Sequence, residues 1–241
     1  MLHLTTQTTK MKQDRSTGLF LLIGAAGVLI PYTMLNIIFE YPTILRQDTG
    51  MILTKFHQGG SRLIFTWFAF AVTGATLIPA YINIGKKLER KSSLIRFTTT
   101  IGVTGLIVQM IGLLRWVFVV PVLSSTYINT TDEATKAAAV IAFKTIHQFA
   151  GVLLGEHLGQ LFTIVWTIVI SVVLNKLKLI PKWLSIFGIT SSIIYLLAQA
   201  ELFATVIPGF PVWNMAGFIG STLWLIWLII IGIRFLKMNE Q

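Results

Sequence analysis

The sequence contains no cysteine, which excludes disulfides, thiolate metal sites and cysteine nucleophiles. Charge is also scarce, because only 12% of the 241 residues are Asp, Glu, Lys or Arg, against roughly 25% in an average soluble domain. Motifs for nucleotide-binding loops, hydrolase triads and zinc-protease helices are absent as well. A chain that is 54% hydrophobic cannot solvate its own surface in water, so lipid is the expected solvent.

Long apolar runs dominate the sequence. A helix needs about 20 mostly apolar residues to cross the hydrocarbon of a bilayer, and six runs meet this requirement. We therefore predict an all-α, polytopic membrane protein with six transmembrane helices. The predicted spans are residues 16–39, 63–85, 97–122, 148–174, 183–207 and 212–233.

The spans leave little chain for a separate soluble domain. We predict that residues 1–15 form a cytoplasmic N-terminal tail, 16–236 a single six-helix transmembrane domain and 237–241 a cytoplasmic tail. Residues 40–61 and 123–147 are the two longer outer connections. The second contains Thr130-Thr131-Asp132-Glu133, which has the spacing of a capping box. It predicts a helix that begins there, continues toward the fourth span and bends near Gly151.

Basic residues are distributed unevenly between the connections. Thirteen of the 19 Lys and Arg residues lie in the terminal segments and in the connections after spans two and four. Because cytoplasmic segments carry an excess of Lys and Arg, this asymmetry predicts that both termini lie in the cytoplasm. Topology accounts for the net charge of +10, so we expect the lipid bilayer as a partner and no nucleic acid.

A few polar side chains interrupt the predicted spans. Ionisable groups inside membrane helices are costly and are functional candidates by default. Given the alternating direction of the helices, these groups all lie in the outer part of the bilayer. We predict a polar site that opens toward the outer side of the membrane. The inner halves of the helices, which carry almost no ionisable groups, form an apolar floor beneath it. The candidate ligand-binding residues of the site are Arg115, Glu156, His157, Gln160, Gln199 and Glu201.

The charges of this set do not balance. Arg115 can pair with Glu156 or with Glu201 and hold helices together, which is a structural role. One arginine cannot neutralise two carboxylates, however. The remaining carboxylate must bind a proton, a histidine, a cation or a ligand, and this is the main sequence argument for a functional site.

Two further patterns have structural interpretations. Glycines at a spacing of four let another helix approach closely, and tryptophans near span ends anchor a protein at the membrane interface. The glycines are Gly151, Gly155 and Gly159, and the tryptophans are Trp116, Trp183 and Trp213.

Three functions are compatible with a one-sided polar cluster. The first is binding of a small or lipid-like ligand. The second is an intramembrane enzyme in which Glu156 or Glu201 acts as a general acid or base. The third is a secondary transporter. A channel is disfavoured because it needs a polar path across the whole bilayer.

Metal or haem binding is an open possibility for the enzyme. Catalytic zinc usually has three protein ligands, and the weak candidates are His57, His147, His157 and Glu156. His147 and His157 are ten residues apart, or about 15 Å along a helix, so they cannot share one metal unless the helix breaks. Haem requires axial histidines from different helices.

Several short stretches resemble a known family. They are the Arg-Trp pair at 115–116, Gly-Glu-His-Leu-Gly-Gln-Leu-Phe at 155–162, Ala-Gln-Ala-Glu at 198–201 and the Pro-Gly-Phe-Pro turn at 208–211. The sequence resembles the bacterial membrane family catalogued as domain of unknown function 4386, over roughly residues 16–233. The resemblance implies a multi-pass protein of the bacterial cell membrane and assigns no catalytic residues.

Overall fold

The computed structural model describes the backbone of residues 2–238 and the side chains from residue 14 onward. This part of the chain is helical and contains no β-strand. A π-helical stretch, His147–Leu158, is called the π segment below. The α-helices are α1 Leu2–Phe39, α2 Thr49–Thr73, α3 Leu77–Leu88, α4 Leu94–Phe118, α5 Val120–Asn129, α6 Glu133–Ile146, α7 Gly159–Lys176, α8 Lys182–Leu197, α9 Gln199–Ala204 and α10 Ala216–Lys237.

Six helical stretches are long and apolar enough to cross a membrane, which confirms the predicted number of spans. Three of them contain 40, 36 and 44 residues, against the roughly 20 that a bilayer requires. The excess arises because much of the two predicted outer connections is helical. The stretches are Asp14–Phe39, Thr49–Leu88, Leu94–Asn129, Glu133–Lys176, Lys182–Ala204 and Ala216–Lys237.

Local signals explain where the additional helices begin. The side chain of Asp48 accepts a hydrogen bond from the backbone N–H of Gly50 at 2.8 Å, which satisfies one of the free donors at the start of α2. Pro121 stands in the first turn of α5, where its missing N–H costs nothing and its fixed φ suits a helix.

The cap of α6 differs from the predicted capping box. Asp132, rather than Thr130, is the N-cap, and its Oδ2 accepts the backbone N–H of Thr135 at 3.0 Å and the Thr135 hydroxyl at 2.6 Å. Glu133 instead accepts a bond from Lys136 at 2.9 Å. The hydrogen bond from the Thr135 hydroxyl, followed by that from its backbone N–H, lowers the pKa of the Asp132 carboxyl below its usual value.

We expect Asp132→Ala to lower the melting temperature (Tm), because an N-cap is lost. In the folded protein the pKa of this carboxyl lies below its usual value of 3.8. The ionised carboxylate therefore stabilises the folded protein above pH 3.8, and this stabilisation is lost as the pH falls through the folded-state pKa. Thermal melts across pH should therefore show the wild type and the variant converging in acid. Asp132→Asn, which caps without titrating, is the control. A wild-type advantage over Asn that is independent of pH would contradict the assignment.

Four of the six spans depart from a continuous α-helix inside their predicted limits. A 3-10 turn at Gly74–Thr76 separates α2 from α3, and Val119 separates α4 from α5. Ala198 separates α8 from α9, so the predicted fifth span is not one continuous helix. The π segment replaces regular α-helix around Gly151, where a bend was predicted.

The chain divides into two compact units. Unit 1 consists of Met1–Ala26, Ala75–Ile107 and Gly159–Gln241, and unit 2 consists of Gly27–Gly74 and Val108–Leu158. Each unit has a separate apolar cluster of buried side chains.

Unit 1 buries a row of hydroxyl groups on α7. Thr163, Thr167 and Ser171 recur at a spacing of four and are buried. The Trp224 indole donates to Thr167 Oγ1 at 3.1 Å, and the Ser185 hydroxyl donates to the Ser171 carbonyl at 2.9 Å. Neutral hydroxyls therefore lie among the apolar side chains of α7 and α8.

Unit 2 has an aromatic core. The rings of Trp67 and Trp116 are stacked with centroids 4.8 Å apart, and Phe39 meets both rings edge-on. Trp116 is fully buried, so its predicted role as an interfacial anchor is wrong. Trp183 and Trp213, by contrast, are about half exposed, as an interfacial position requires.

Candidate functional site

The candidate site of unit 2 is built around Arg115 on α4. Its side chain is buried, with an exposed fraction of 6%. Nη1 donates to the Gly112 carbonyl, Nη2 lies 3.4 Å from His147 Nδ1, and Cζ lies 5.2 Å from the centre of the Trp116 ring. The groups that touch the guanidinium directly are thus a carbonyl, a histidine ring and an aromatic ring rather than a carboxylate.

His147 is held in a fixed orientation. A guanidinium only donates hydrogen bonds, so the contact with Arg115 requires Nδ1 of His147 to be unprotonated and to accept. The ring stacks on Phe143 with centroids 5.4 Å apart and an interplanar angle of 16°. It also meets Trp116 edge-on at 6.2 Å. His147 is therefore an oriented acceptor for the guanidinium.

Glycines make this arrangement possible. A Cβ on Gly151 would lie 2.5 Å from Arg115 Nη2, so the missing side chain leaves room for the guanidinium. A Cβ on Gly112 would lie 2.6 Å from the Ala150 carbonyl oxygen and 2.9 Å from Gly155 Cα. The packing interpretation of the glycine stripe thus holds for Gly155, whereas Gly151 lies against the charged group itself.

The π segment places site residues on one face. In an α-helix each residue advances by about 100°, so His147 and Glu156, nine residues apart, would lie on opposite faces. A helix with i→i+5 bonds has about 4.4 residues per turn, or about 82° per residue. Nine residues then return to within about 20° of the same face. Gly151 deviates by only about 30° from His147 by the same geometry, so all three residues lie on one side of the segment, where His147 and Gly151 meet Arg115.

Glu156 completes the electrostatics of this site. Its carboxylate attracts the Arg115 guanidinium through space, in agreement with its place on the shared face of the π segment. Of the two carboxylates predicted as partners, Glu156 therefore acts on Arg115 within unit 2. His157 is half-buried and follows Glu156, about 80° further around the π segment.

Three buried N–H groups of unit 2 lack an acceptor in the described part of the chain. They are Nε of Arg115 and the indole Nε1 atoms of Trp67 and Trp116. All three belong to one set of stacked side chains, because Cζ of Arg115 lies over Trp116 and Trp116 stacks on Trp67. A buried donor without an acceptor costs about 1–3 kcal/mol, so this part of unit 2 is rich in unsatisfied donors.

The remaining predicted site residues belong to unit 1. Gln199 is buried, and its Nε2 donates to Oε1 of Gln160 at 2.7 Å, which joins the start of α9 to the start of α7. Glu201 is half-buried in the first turn of α9. The structure therefore groups Gln160 with Gln199 in unit 1 and Arg115 with Glu156 in unit 2.

The predicted metal candidates are not gathered in one cluster of described residues. Among the described residues, no group of three or more His, Asp or Glu side chains is positioned to hold a metal ion. His57 is exposed on α2, and His147 is engaged by Arg115 and Phe143.

Some site residues were not predicted from the sequence. Gly112 provides the carbonyl that accepts from Arg115, and Phe143 provides the ring that stacks on His147. Both residue types are common in apolar helices, so neither position was marked by the sequence. Trp116 directly follows Arg115, and that adjacency was a usable signal. His147 was a metal candidate in the sequence, and its distance of 32 residues from Arg115 gave no signal that the two side chains meet.

Comparison with known proteins identifies one family. The family described as domain of unknown function (DUF4386) matches residues 16–232. Because this match covers most of the chain, the protein belongs to that family, which confirms the resemblance. No curated protein and no solved structure matches the chain.

Proposed function

We propose that this member of a family of unknown function is a multi-pass protein of the bacterial cell membrane that binds a small or lipid-like anion through Arg115. One observation carries the proposal. The buried Arg115 guanidinium is in direct contact with uncharged groups, and its Nε has no acceptor in the described part of the chain.

Energetics support an anionic ligand. A guanidinium has five N–H donors, and among the described residues Arg115 meets two acceptors, the Gly112 carbonyl and His147 Nδ1. Burying an ion costs several kcal/mol unless charge and hydrogen bonds compensate it. A carboxylate or phosphate group supplies both the opposite charge and the hydrogen-bond acceptors, since two of its oxygens can each accept an N–H of the planar guanidinium.

The surroundings indicate the kind of anion. Glu156 already attracts Arg115, so the local excess of positive charge is small and favours a singly charged group. Trp116 and Phe143 provide aromatic walls next to the guanidinium and to His147. An amphiphile with one carboxylate or phosphodiester group and an apolar chain combines these features.

Binding measurements on the detergent-solubilised full chain test the proposal. The ligands are a fatty acid, an alkyl phosphate and an uncharged alcohol with the same alkyl chain, and bound ligand is counted by native mass spectrometry. We expect the anions to bind and the alcohol to bind far more weakly. Arg115→Gln should weaken anion binding by roughly 30-fold or more, because truncating one partner of a buried charge pair costs ~2 kcal/mol or more.

Arg62→Gln is the matched control, since Arg62 is an exposed arginine of the same unit, and it should bind the anions as the wild type does. Arg115→Lys keeps the positive charge but loses the planar guanidinium that donates to two oxygens at once. It should therefore bind the anions more tightly than Arg115→Gln and less tightly than the wild type. Equal binding by wild type and Arg115→Gln, or equal binding of alcohol and anion, would refute the proposal.

A further inference from the structure

Positive charge collects at one end of unit 1. The ends of α3, α7 and α10 and the starts of α4 and α8 contribute to a single apolar cluster, which includes Leu88, Ile95, Leu174, Leu184 and Phe235. Basic side chains that flank these positions therefore share that end. Arg15 also belongs to this end, because its neighbour Asp14 pairs with Lys87. The basic residues of this end are Arg15, Lys86, Lys87, Arg90, Lys91, Arg96, Lys176, Lys178, Lys182, Arg234 and Lys237.

Within residues 14–238, acidic side chains neutralise little of this charge. Lys87 Nζ lies 2.5 and 2.6 Å from the two carboxylate oxygens of Asp14 and 5.4 Å from the centre of the Phe235 ring. This pair joins α1 to α3. Glu89 lies 3.9 Å from Arg96, but both are exposed, and exposed pairs contribute little. The other basic side chains of this end remain exposed.

Exposed apolar side chains adjoin the basic ones. Leu94 and Phe97 flank Arg96 and are 50% and 62% exposed, and Trp183 follows Lys182 and is 55% exposed. A nucleic acid would satisfy the basic groups but would leave these apolar side chains in water. A phospholipid satisfies both, because its headgroup is anionic and its acyl chains are apolar.

We propose that this basic end of unit 1 binds anionic phospholipids through their phosphodiester headgroups. The main contact is the last turn of α3 together with the turn that follows it, since Lys86, Arg90 and Lys91 are exposed there and close in sequence. Each basic residue near an anionic lipid surface changes affinity by roughly fivefold. This inference is independent of the proposed function, which concerns Arg115 in unit 2.

The test titrates the detergent-solubilised full chain with short-chain phosphatidylglycerol and counts bound lipid by native mass spectrometry. Short-chain phosphatidylethanolamine and inorganic phosphate are run in parallel. We expect phosphatidylglycerol to bind in preference to both and to bind less as salt is added. Every chain in this test, including the one that serves as wild type, carries Arg115→Gln, so that a phosphodiester lipid is not bound at the site of unit 2. Against that background, Lys86→Gln, Arg90→Gln and Lys91→Gln together should weaken phosphatidylglycerol binding about 100-fold.

A matched variant removes three exposed charges from unit 2 by Arg46→Gln, Arg62→Gln and Lys144→Gln and should bind as the wild type does. Exchanging Lys86→Arg, Arg90→Lys and Lys91→Arg keeps the charge and should keep the affinity, which separates loss of charge from loss of folding. Equal weakening in both glutamine variants would overturn the inference. So would equal binding of phosphatidylethanolamine or phosphate, or preferential binding of RNA over the lipid.

Discussion

Trp116→Ala is expected to lower the free energy of unfolding by about 3–5 kcal/mol, the range for truncating a buried large aromatic residue. Trp116 is fully buried and stacks on Trp67, and Phe39 and Phe143 meet it edge-on or nearly so. It also lies beneath the Arg115 guanidinium. Its removal therefore leaves a cavity in the core of unit 2 and removes one wall of the site.

Thermal unfolding of the detergent-solubilised protein, followed by tryptophan fluorescence, measures this effect. Trp183→Ala is the matched control because Trp183 is 55% exposed and its loss creates no internal cavity. We expect a large decrease in Tm for Trp116→Ala and a small one for Trp183→Ala. Similar decreases for the two variants would contradict the burial of Trp116 in an aromatic core.

Gly112→Ala is expected to destabilise the protein by about 1–3 kcal/mol, the usual range for overpacking. The new Cβ would lie 2.6 Å from the Ala150 carbonyl oxygen and 2.9 Å from Gly155 Cα. Both are backbone atoms, so the π segment itself must move away from α4. Because the Gly112 carbonyl accepts from Arg115, the displacement should also weaken anion binding at this site.

Thermal unfolding and the anion titration together measure the effect of Gly112→Ala. Gly74→Ala provides the control in the same unit, since no atom lies within 4 Å of its added Cβ and its φ of −58° suits alanine. It should leave both the Tm and anion binding close to those of the wild type. If Gly112→Ala behaves like Gly74→Ala, then α4 and the π segment are not in close contact.

The six spans were predictable because a bilayer requires a minimum length of apolar residues, and each run meets it. Arg115 and Glu156 were predictable as site residues for a related reason, since a charge in an apolar run is costly and conspicuous. The outer helices were less predictable. The polar run at 130–133 predicted α6, although its N-cap is Asp132 rather than Thr130. The apolar content of α5 suits both an irregular connection and a short helix.

The π segment was not predictable from helical spacing. Sequence reasoning assumed 3.6 residues per turn, which separates His147 from Glu156 by half a turn. With i→i+5 bonds the two residues share a face, and His147 becomes a partner of Arg115 rather than a metal candidate. The burial of Trp116 was missed because position near a span end was taken to imply the membrane interface.

A density map of the full chain purified with an anionic amphiphile shows directly whether Arg115 binds an anion. We expect density for a carboxylate or phosphate group within hydrogen-bonding distance of Arg115 Nε, with His147, Gly151 and Glu156 on one face of a π-helical segment. Ligand density elsewhere, with Arg115 still held only by Gly112 and His147, would contradict it. An α-helical 147–158 with Glu156 facing away from Arg115 would also contradict it.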